Sequence, residues 1–279
     1  MLIGITGATG NLGSELVSRG CEPVQCDITD QIETLKVLEA SNATTIINCA
    51  SYNAVDDIEE SANYKRAVSV NSIGVGHLAL ACEATNKRLI HLSTDYVFRG
   101  TTKRRGPYSE GQVPKRPVND YGMSKFGGEV ALRVLGGDFT CVVRTTGLYG
   151  GHKSDFVDYV YSSLLLGEEV KITKQLMGNQ SYIPHVANGL LELASRDPFP
   201  SKILHIASVD VVSRYEFACM IANKFELDKE LIIPVMTSEL GWKAHRPTMA
   251  GLKTKLAIDL GIPIYTIWEG LEALKDDSL

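Results

Sequence analysis

Residues 2–6, Leu-Ile-Gly-Ile-Thr, read as a short buried strand, and they run directly into Gly7-Ala8-Thr9-Gly10-Asn11-Leu12-Gly13. This G-x-x-G-x-x-G turn, followed by a helical pattern over 11–19, constrains the chain more than any other feature. A strand entering a helix through three glycines predicts a βα unit whose helix N-terminus is open to an anion. Gly7 allows the tight turn, Gly10 lets the backbone approach a pyrophosphate, and Gly13 lets the helix pack closely on the sheet. Thr9, Asn11 and Leu12 lie between and beside those glycines and face the same ligand. The motif predicts dinucleotide binding, although glycines also occur in plain strand–turn–helix corners.

Strand and helix then alternate. A second strand is expected over 23–26, and Asp27 and Asp30 look like start residues for an amphipathic helix over 31–40. Thr45–Asn48 reads as a third strand, 60–85 as a long helix, Arg88–Leu92 as a fourth strand, 121–135 as a helix and Phe139–Val143 as a fifth strand. Residues 99–118, rich in Arg, Lys, Gly and Pro, read as a loop. The alternation predicts a Rossmann-type α/β fold: a doubly wound parallel sheet joined by right-handed crossovers. Beyond residue 150 the pattern loosens into helices at 154–166, 186–195 and 213–226 and a strand at 203–206. The expected division is a dinucleotide-binding domain over 1–150 and a smaller C-terminal α/β region over 151–279 that binds substrate. The boundary is soft, because late segments of such folds often return to the first sheet.

The chain of 279 residues is long enough for this arrangement and carries a net charge of −5, which argues against a nucleic-acid partner. The six cysteines are scattered without a C-x-x-C pair, and the histidines show no H-x-x-x-H spacing. A reduced, cytoplasmic chain with no metal site is therefore expected. No stretch approaches the roughly 18 apolar residues of a membrane span, and no signal peptide is expected.

Asp27 lies 20 residues after Gly7, where an acid can bind the adenosine ribose and favour NAD. With Ile28 it forms the candidate adenosine end of the site. It also opens Asp-Ile-Thr-Asp, so a capping role stays open. Tyr121-Gly122-Met123-Ser124-Lys125 places a tyrosine and a lysine on one helix face. A phenol has an ordinary pKa of about 10, and drawing it down to 7 takes about 4 kcal/mol, which a neighbouring ammonium can supply in large part. The fourth strand ends in Leu92-Ser93-Thr94-Asp95-Tyr96, and a hydroxyl there faces the crevice where open α/β sheets bind ligands. Thr94, Tyr121 and Lys125 are thus the candidate catalytic set.

The order of glycine loop, Ser-Thr strand end and Y-x-x-x-K helix resembles the extended short-chain dehydrogenase/reductase family. A narrower likeness joins it. Asn48-Cys49-Ala50-Ser51-Tyr52-Asn53-Ala54-Val55-Asp56, Ser93-Thr94-Asp95-Tyr96-Val97-Phe98, Tyr121 to Glu129, Arg144-Thr145 with Tyr149-Gly150, and Arg246-Pro247 with Leu252, Thr254 and Lys255-Leu256 resemble motifs of the nucleotide-sugar 4-ketoreductases of dTDP-4-dehydrorhamnose reductase type. The likeness runs nearly the whole length. It implies reduction of a 4-keto-6-deoxy sugar nucleotide by NADPH or NADH, the family leaning to NADPH. It implies that Tyr121 is the proton donor, that Lys125 holds the nicotinamide ribose and lowers the Tyr121 pKa, and that Thr94 orients the carbonyl. It places Ala50 and Ser51 on the cofactor, Tyr52, Asp95 and Tyr96 near the sugar, and Arg246 on the diphosphate, where the other reading of Arg246 is a surface salt bridge. Relatives are often dimers, so a homodimer is expected.

There are departures from the pattern. Thr146-Gly147-Leu148 stands where the family usually has a bulky residue, Pro184-His185 replaces Pro-Thr, and the segment around Asp27 is short. These bear on the sugar, the nucleotide and the cofactor phosphate more than on the reaction type. Three other readings stay open. A bifunctional 3,5-epimerase/4-reductase would need an extra acid/base pair, for which Cys49, His152 and His185 are candidates. A non-catalytic regulatory subunit, like that of methionine adenosyltransferase, is suggested by Ser213-Arg214-Tyr215-Glu216-Phe217-Ala218. A reductase of another carbonyl is not excluded by the motifs.

Overall fold

The computed structural model describes residues 2–103 and 105–277. Six strands form one parallel sheet in the order β10-β5-β4-β3-β1-β2: Ile203–His205, Thr140–Thr145, Arg88–Thr94, Thr45–Asn48, Ile3–Thr6 and Glu22–Pro23. β1, β3 and β5 are buried throughout, as expected for parallel strands covered on both faces. On one face lie α1 (Asn11–Ser18), α7 (Ile183–Ser195) and α9 (Lys255–Asp259), around Ile5, Leu16, Val143 and Leu190. On the other lie α2 (Gln31–Ala40), α4 (Gly74–Ala84) and α5 (Asp120–Leu135), around Leu38, Leu78, Leu89 and Leu132. The sheet is doubly wound, and the strand order reverses between β1 and β3.

That reversal positions the site. The carboxyl ends of β1 and β3 pair at Thr6 and Asn48. Thr6 Oγ1 donates to Asn48 Oδ1 at 2.7 Å, which also accepts the Ala50 N–H at 3.0 Å. The Asn48 amide nitrogen meets His91 Nδ1 of β4 at 3.0 Å. This buried polar chain fixes three strand ends beneath the glycine turn.

The expected helix over 60–85 is a run of α3 (Ser61–Val68), a π-helical turn (Ser69–Ile73) and α4. By length and composition the Ser61–Ala84 run is apolar enough to cross a membrane, contrary to the expectation that no stretch comes close. Its Val75, Leu78, Ala79 and Cys82 are wholly buried against the sheet, so the apolarity is that of a core helix. The second strand is shorter than the expected 23–26. It is an edge strand where Pro23 supplies no N–H, followed by one more backbone bond from Val24 N–H to Ile5 O at 2.8 Å. Asp30, not Asp27, caps α2, accepting from the Ile32 and Glu33 N–H groups.

The later chain is divided. α7 and β10 return to the first sheet, while a second core gathers α6 (Phe156–Leu165), β7 (Val170–Thr173), α8 (Arg214–Phe225), β12 (Ile232–Val235) and α10 (Ile267–Asp277). Short pairs join β6 (Leu148–Tyr149) to β9 (Ser181–Tyr182), β8 (Met177–Gly178) to β11 (Val212–Ser213), and β7 to β12. These two-residue strands leave no periodicity in sequence.

Candidate active site

A cleft of about 850 Å³ runs from the glycine turn, over the carboxyl ends of β1, β3 and β4, to the segments of the second core. At one end the chain is shaped for an anion. Gly7 has φ +68°, and a side chain there would run into the Ala50 backbone, while one at Gly13 would overlap the Gly7 carbonyl oxygen. A Cβ at Gly10 would meet only that oxygen, at 3.4 Å, and would otherwise fill the open space above the turn. Gly10 is the N-cap of α1 with no side-chain cap, and among the described residues the N–H groups of Asn11, Leu12 and Gly13 have no protein acceptor. Three unpaired donors at a helix N-terminus fit a pyrophosphate. Thr9, Leu12, Asp27, Ile28, Ala50 and Ser51 line the same stretch. Asp27 accepts from the Thr29 N–H and hydroxyl, at 2.9 and 2.8 Å, and these bonds hold its carboxyl below the usual range.

At mid-cleft the proposed catalytic side chains meet. Asn119 caps α5, accepting from Gly122 N–H at 2.7 Å, so the helix starts at Asp120 and places Tyr121 and Lys125 on its sheet-facing side. Lys125 Nζ donates to Leu92 O of β4 at 2.7 Å. Burial pulls the Lys125 ammonium down to about 8, opposed by the Glu129 carboxylate one turn on. The Thr94 hydroxyl, at the end of β4, lies beside the Tyr121 phenol and favours its ionised form, against burial. It also donates to Asp95 Oδ1 at 3.2 Å and accepts the Tyr96 N–H at 3.2 Å. The Tyr96 ring packs edge-on against Tyr121, with centroids 5.7 Å apart.

One electrostatic expectation is corrected. Tyr121 is pushed above the ordinary phenol value, by burial first, and Lys125 is not among the charges acting on it. Desolvation dominates, and the Lys125 ammonium is turned to the β4 carbonyl. Asp95 is likewise raised, to about 6, by burial, against hydrogen bonds from Thr146 and Thr94.

Arg246 does not face the cleft as expected for a diphosphate ligand. Its fork closes on Asp56, with Nη1–Oδ1 at 3.0 Å and Nη2–Oδ2 at 2.7 Å, over the Trp242 ring. Only the adjacent Pro247 reaches the cleft. The three epimerase candidates separate. Cys49 lines the cleft with its thiol pushed up to about 12 by burial, His152 lies exposed against the Ser14 hydroxyl, and His185 stacks on Tyr265 at 3.8 Å.

Several groups have no single-residue signature in the sequence. Asn71, wholly buried in the π-helical turn, accepts from Tyr52 N–H at 2.9 Å and from the Ser51 hydroxyl at 3.1 Å. It donates to Tyr52 O at 2.8 Å and to Ser124 Oγ at 2.9 Å. One amide thereby fixes the cofactor-side loop to the Tyr121 helix. Its only trace is a polar residue inside an apolar helical run. Arg66, over the Tyr52 ring at 5.3 Å, and Arg214 also line the cleft. So do the buried Thr145 Oγ1 and Gln180 Oε1, neither of which has a hydrogen-bond partner among the described residues.

Comparison with known proteins gives the family and the fold. The model of the RmlD substrate binding domain family matches residues 1–278. A dTDP-4-dehydrorhamnose reductase of Mycolicibacterium smegmatis is 34% identical over 98% of this chain and 83% of its own. The chain belongs to the dTDP-4-dehydrorhamnose reductase family. It is similar also to the dTDP-4-keto-6-deoxy-D-glucose reductase of Streptomyces niveus, at 34% identity over 87% of this chain and 85% of that one. The crystal structure of dTDP-4-dehydrorhamnose reductase from Bacillus anthracis in complex with NADP superimposes with a TM-score of 0.90 at 28% identity, covering 99% of this chain and 100% of that one. Members of this reductase family are oxidoreductases, and the doubly wound fold is theirs.

Proposed function

We propose that the chain reduces the 4-keto group of a dTDP- or UDP-linked 4-keto-6-deoxyhexose with NADPH or NADH. The observation that carries this is the meeting of Thr94, Tyr121 and Lys125 in one cleft with a glycine turn whose helix N-terminus is open to a pyrophosphate. A bound reduced nicotinamide supplies the hydride to the carbonyl carbon. Gly7, Gly10 and Gly13 hold the dinucleotide phosphates, with Ala50, Ser51 and Tyr52 beside the rest of it. Thr94 orients the carbonyl oxygen. Tyr121 gives that oxygen its phenolic proton as the alkoxide develops. A raised phenol suits this direction, because it stays protonated at neutral pH. Lys125, still largely charged at pH 7 and anchored on Leu92 O, holds the nicotinamide ribose.

We further place the cofactor mainly on residues 1–150 and the sugar nucleotide mainly on 151–279, in a homodimer working in the cytoplasm. The test follows loss of near-ultraviolet NADPH and NADH absorbance with dTDP- and UDP-4-keto-6-deoxyglucose, each with and without a separate 3,5-epimerase. Turnover only with the epimerase supports a plain 4-ketoreductase. Turnover without it transfers the weight to a bifunctional enzyme. Tight cofactor binding with no turnover on any sugar would overturn the reductase and favour a regulatory protein.

A further inference from the structure

The cleft contains a guanidinium that the reductase chemistry leaves unused. Arg214 opens α8 directly after Ser213, whose side chain accepts the Glu216 N–H at 3.1 Å while Glu216 accepts the Ser213 N–H at 2.7 Å. This capping box fixes the first turn, and the Arg214 N–H adds a bond to Leu176 O at 3.0 Å. The backbone under Arg214 is thus held at three points. Its side chain lies over the Phe156 ring, with Cζ 4.5 Å from the centroid, and lines the cleft. Among the described residues the guanidinium makes no ion pair and no hydrogen bond. Arg246, in contrast, is fully engaged by Asp56 and Ala244 O.

A half-buried guanidinium with its fork unpaired is costly unless a ligand pairs it. Its planar donors match two oxygens of a phosphate better than one hydroxyl. Position supports the same ligand. Arg214 and Phe156 line the same cleft as Tyr96 and Tyr121, whose rings pack edge-on with centroids 5.7 Å apart. The orphan atoms Thr145 Oγ1 and Gln180 Oε1 line the same cleft and offer partners for sugar hydroxyls. A hexose with its ketone at C4 and a diphosphate at C1 presents those two groups on opposite sides of its ring.

We propose that Arg214 binds the diphosphate of the sugar nucleotide and sets its affinity. This rests on the reductase reading for the identity of the ligand. Phe156 holds the guanidinium flat, and the N-terminal turn of α8 keeps it aimed into the cleft.

The test is calorimetric binding of dTDP and UDP to the full chain, with ADP-ribose titrated separately as a probe of the cofactor half. Arg214→Gln is expected to weaken dTDP and UDP at least tenfold and to leave ADP-ribose affinity and the melting temperature unchanged. Arg214→Lys is expected to fall between, since charge returns without the fork. In turnover the loss is expected in KM, with kcat held within about threefold. If Arg214→Gln does not fold, Arg214→Lys carries the test, and dTDP affinity equal to the wild type in that variant overturns the role of the guanidinium fork. Unchanged dTDP affinity in Arg214→Gln would overturn the proposal. So would loss of UDP-glucuronate with UDP retained, which would assign the arginine to a carboxylate on the sugar, or a wild-type chain that binds no nucleoside diphosphate. ADP-ribose binding and the ketone assay report on the reductase reading independently, so the two can fail separately.

Discussion

Tyr121 is held between the Thr94 hydroxyl and the edge of the Tyr96 ring, and burial keeps its proton on. Removing only the phenolic oxygen leaves the ring packing in place. Tyr121→Phe should therefore lose turnover roughly a thousandfold while cofactor affinity stays within twofold, as NADPH absorbance and fluorescence titration would show. Full activity would remove Tyr121 as the proton donor. Asp95 is 2% exposed and raised to about 6, near Thr94, Thr146 and Arg214. Between pH 4 and 6 the unfolded chain has ionised this group while the folded chain still holds the proton. The folded state then binds more protons, and this site's contribution to stability falls as pH rises through that window, by about 2–3 kcal/mol in all. Asp95→Asn should gain on the wild type by that order at pH 7 and lose the advantage at pH 4. Urea unfolding at the two pH values checks this, and a gap independent of pH would contradict it.

At the scale of elements, the β1–α1 corner depends on backbone contact. A methyl group at Gly13 meets the Gly7 carbonyl oxygen, which is backbone and cannot step aside without opening the turn. Gly13→Ala should weaken ADP-ribose binding at least tenfold, by calorimetry, and lower the melting temperature. Wild-type affinity would show that α1 need not sit so close to the turn. The π-helical turn is the matching device on the other side. It swings Asn71 inward, so that one side chain ties the Tyr52 loop to α5. Such turns recur inside helices at functional sites.

Across the whole molecule, one buried ion pair joins the layers. Arg144 of β5, 0% exposed, donates to both oxygens of Glu129 on α5, at 2.8 and 2.7 Å. The Ser93 hydroxyl of β4 also reaches that carboxylate, at 2.7 Å, and the Phe98 ring covers the guanidinium. Arg144→Met would leave a buried carboxylate facing one hydroxyl, costing about 3–5 kcal/mol, whereas the double variant Glu129→Leu with Arg144→Met should recover most of it. A urea double-mutant cycle measures this. A double variant as unstable as the single one would mean that the pair contributes specific structure beyond charge balance. The same pair sits one helical turn from Lys125, so the core bond and that buried ammonium share an electrostatic setting.

What the sequence by itself determined is what short-range geometry settles. A G-x-x-G-x-x-G turn after a strand, an N-cap at Asp30, a Y-x-x-x-K face and a hydroxyl at a strand end each depend on neighbours a few residues away. Their local geometry is therefore found in the structure, as is the alternation behind the parallel sheet. What only the tertiary structure decided depends on the whole surroundings. Arg214 and Arg246 are both arginines beside a motif, yet Asp56, 190 residues from Arg246, closes one and leaves the other open. The direction of the Tyr121 shift is a sum over every group that excludes water from it. The return of α7 and β10 to the first sheet, and the inward turn of Asn71, follow from apolar surfaces that meet only when distant segments pack. Periodicity in the chain reports that such a surface exists, but the fold chooses its partner.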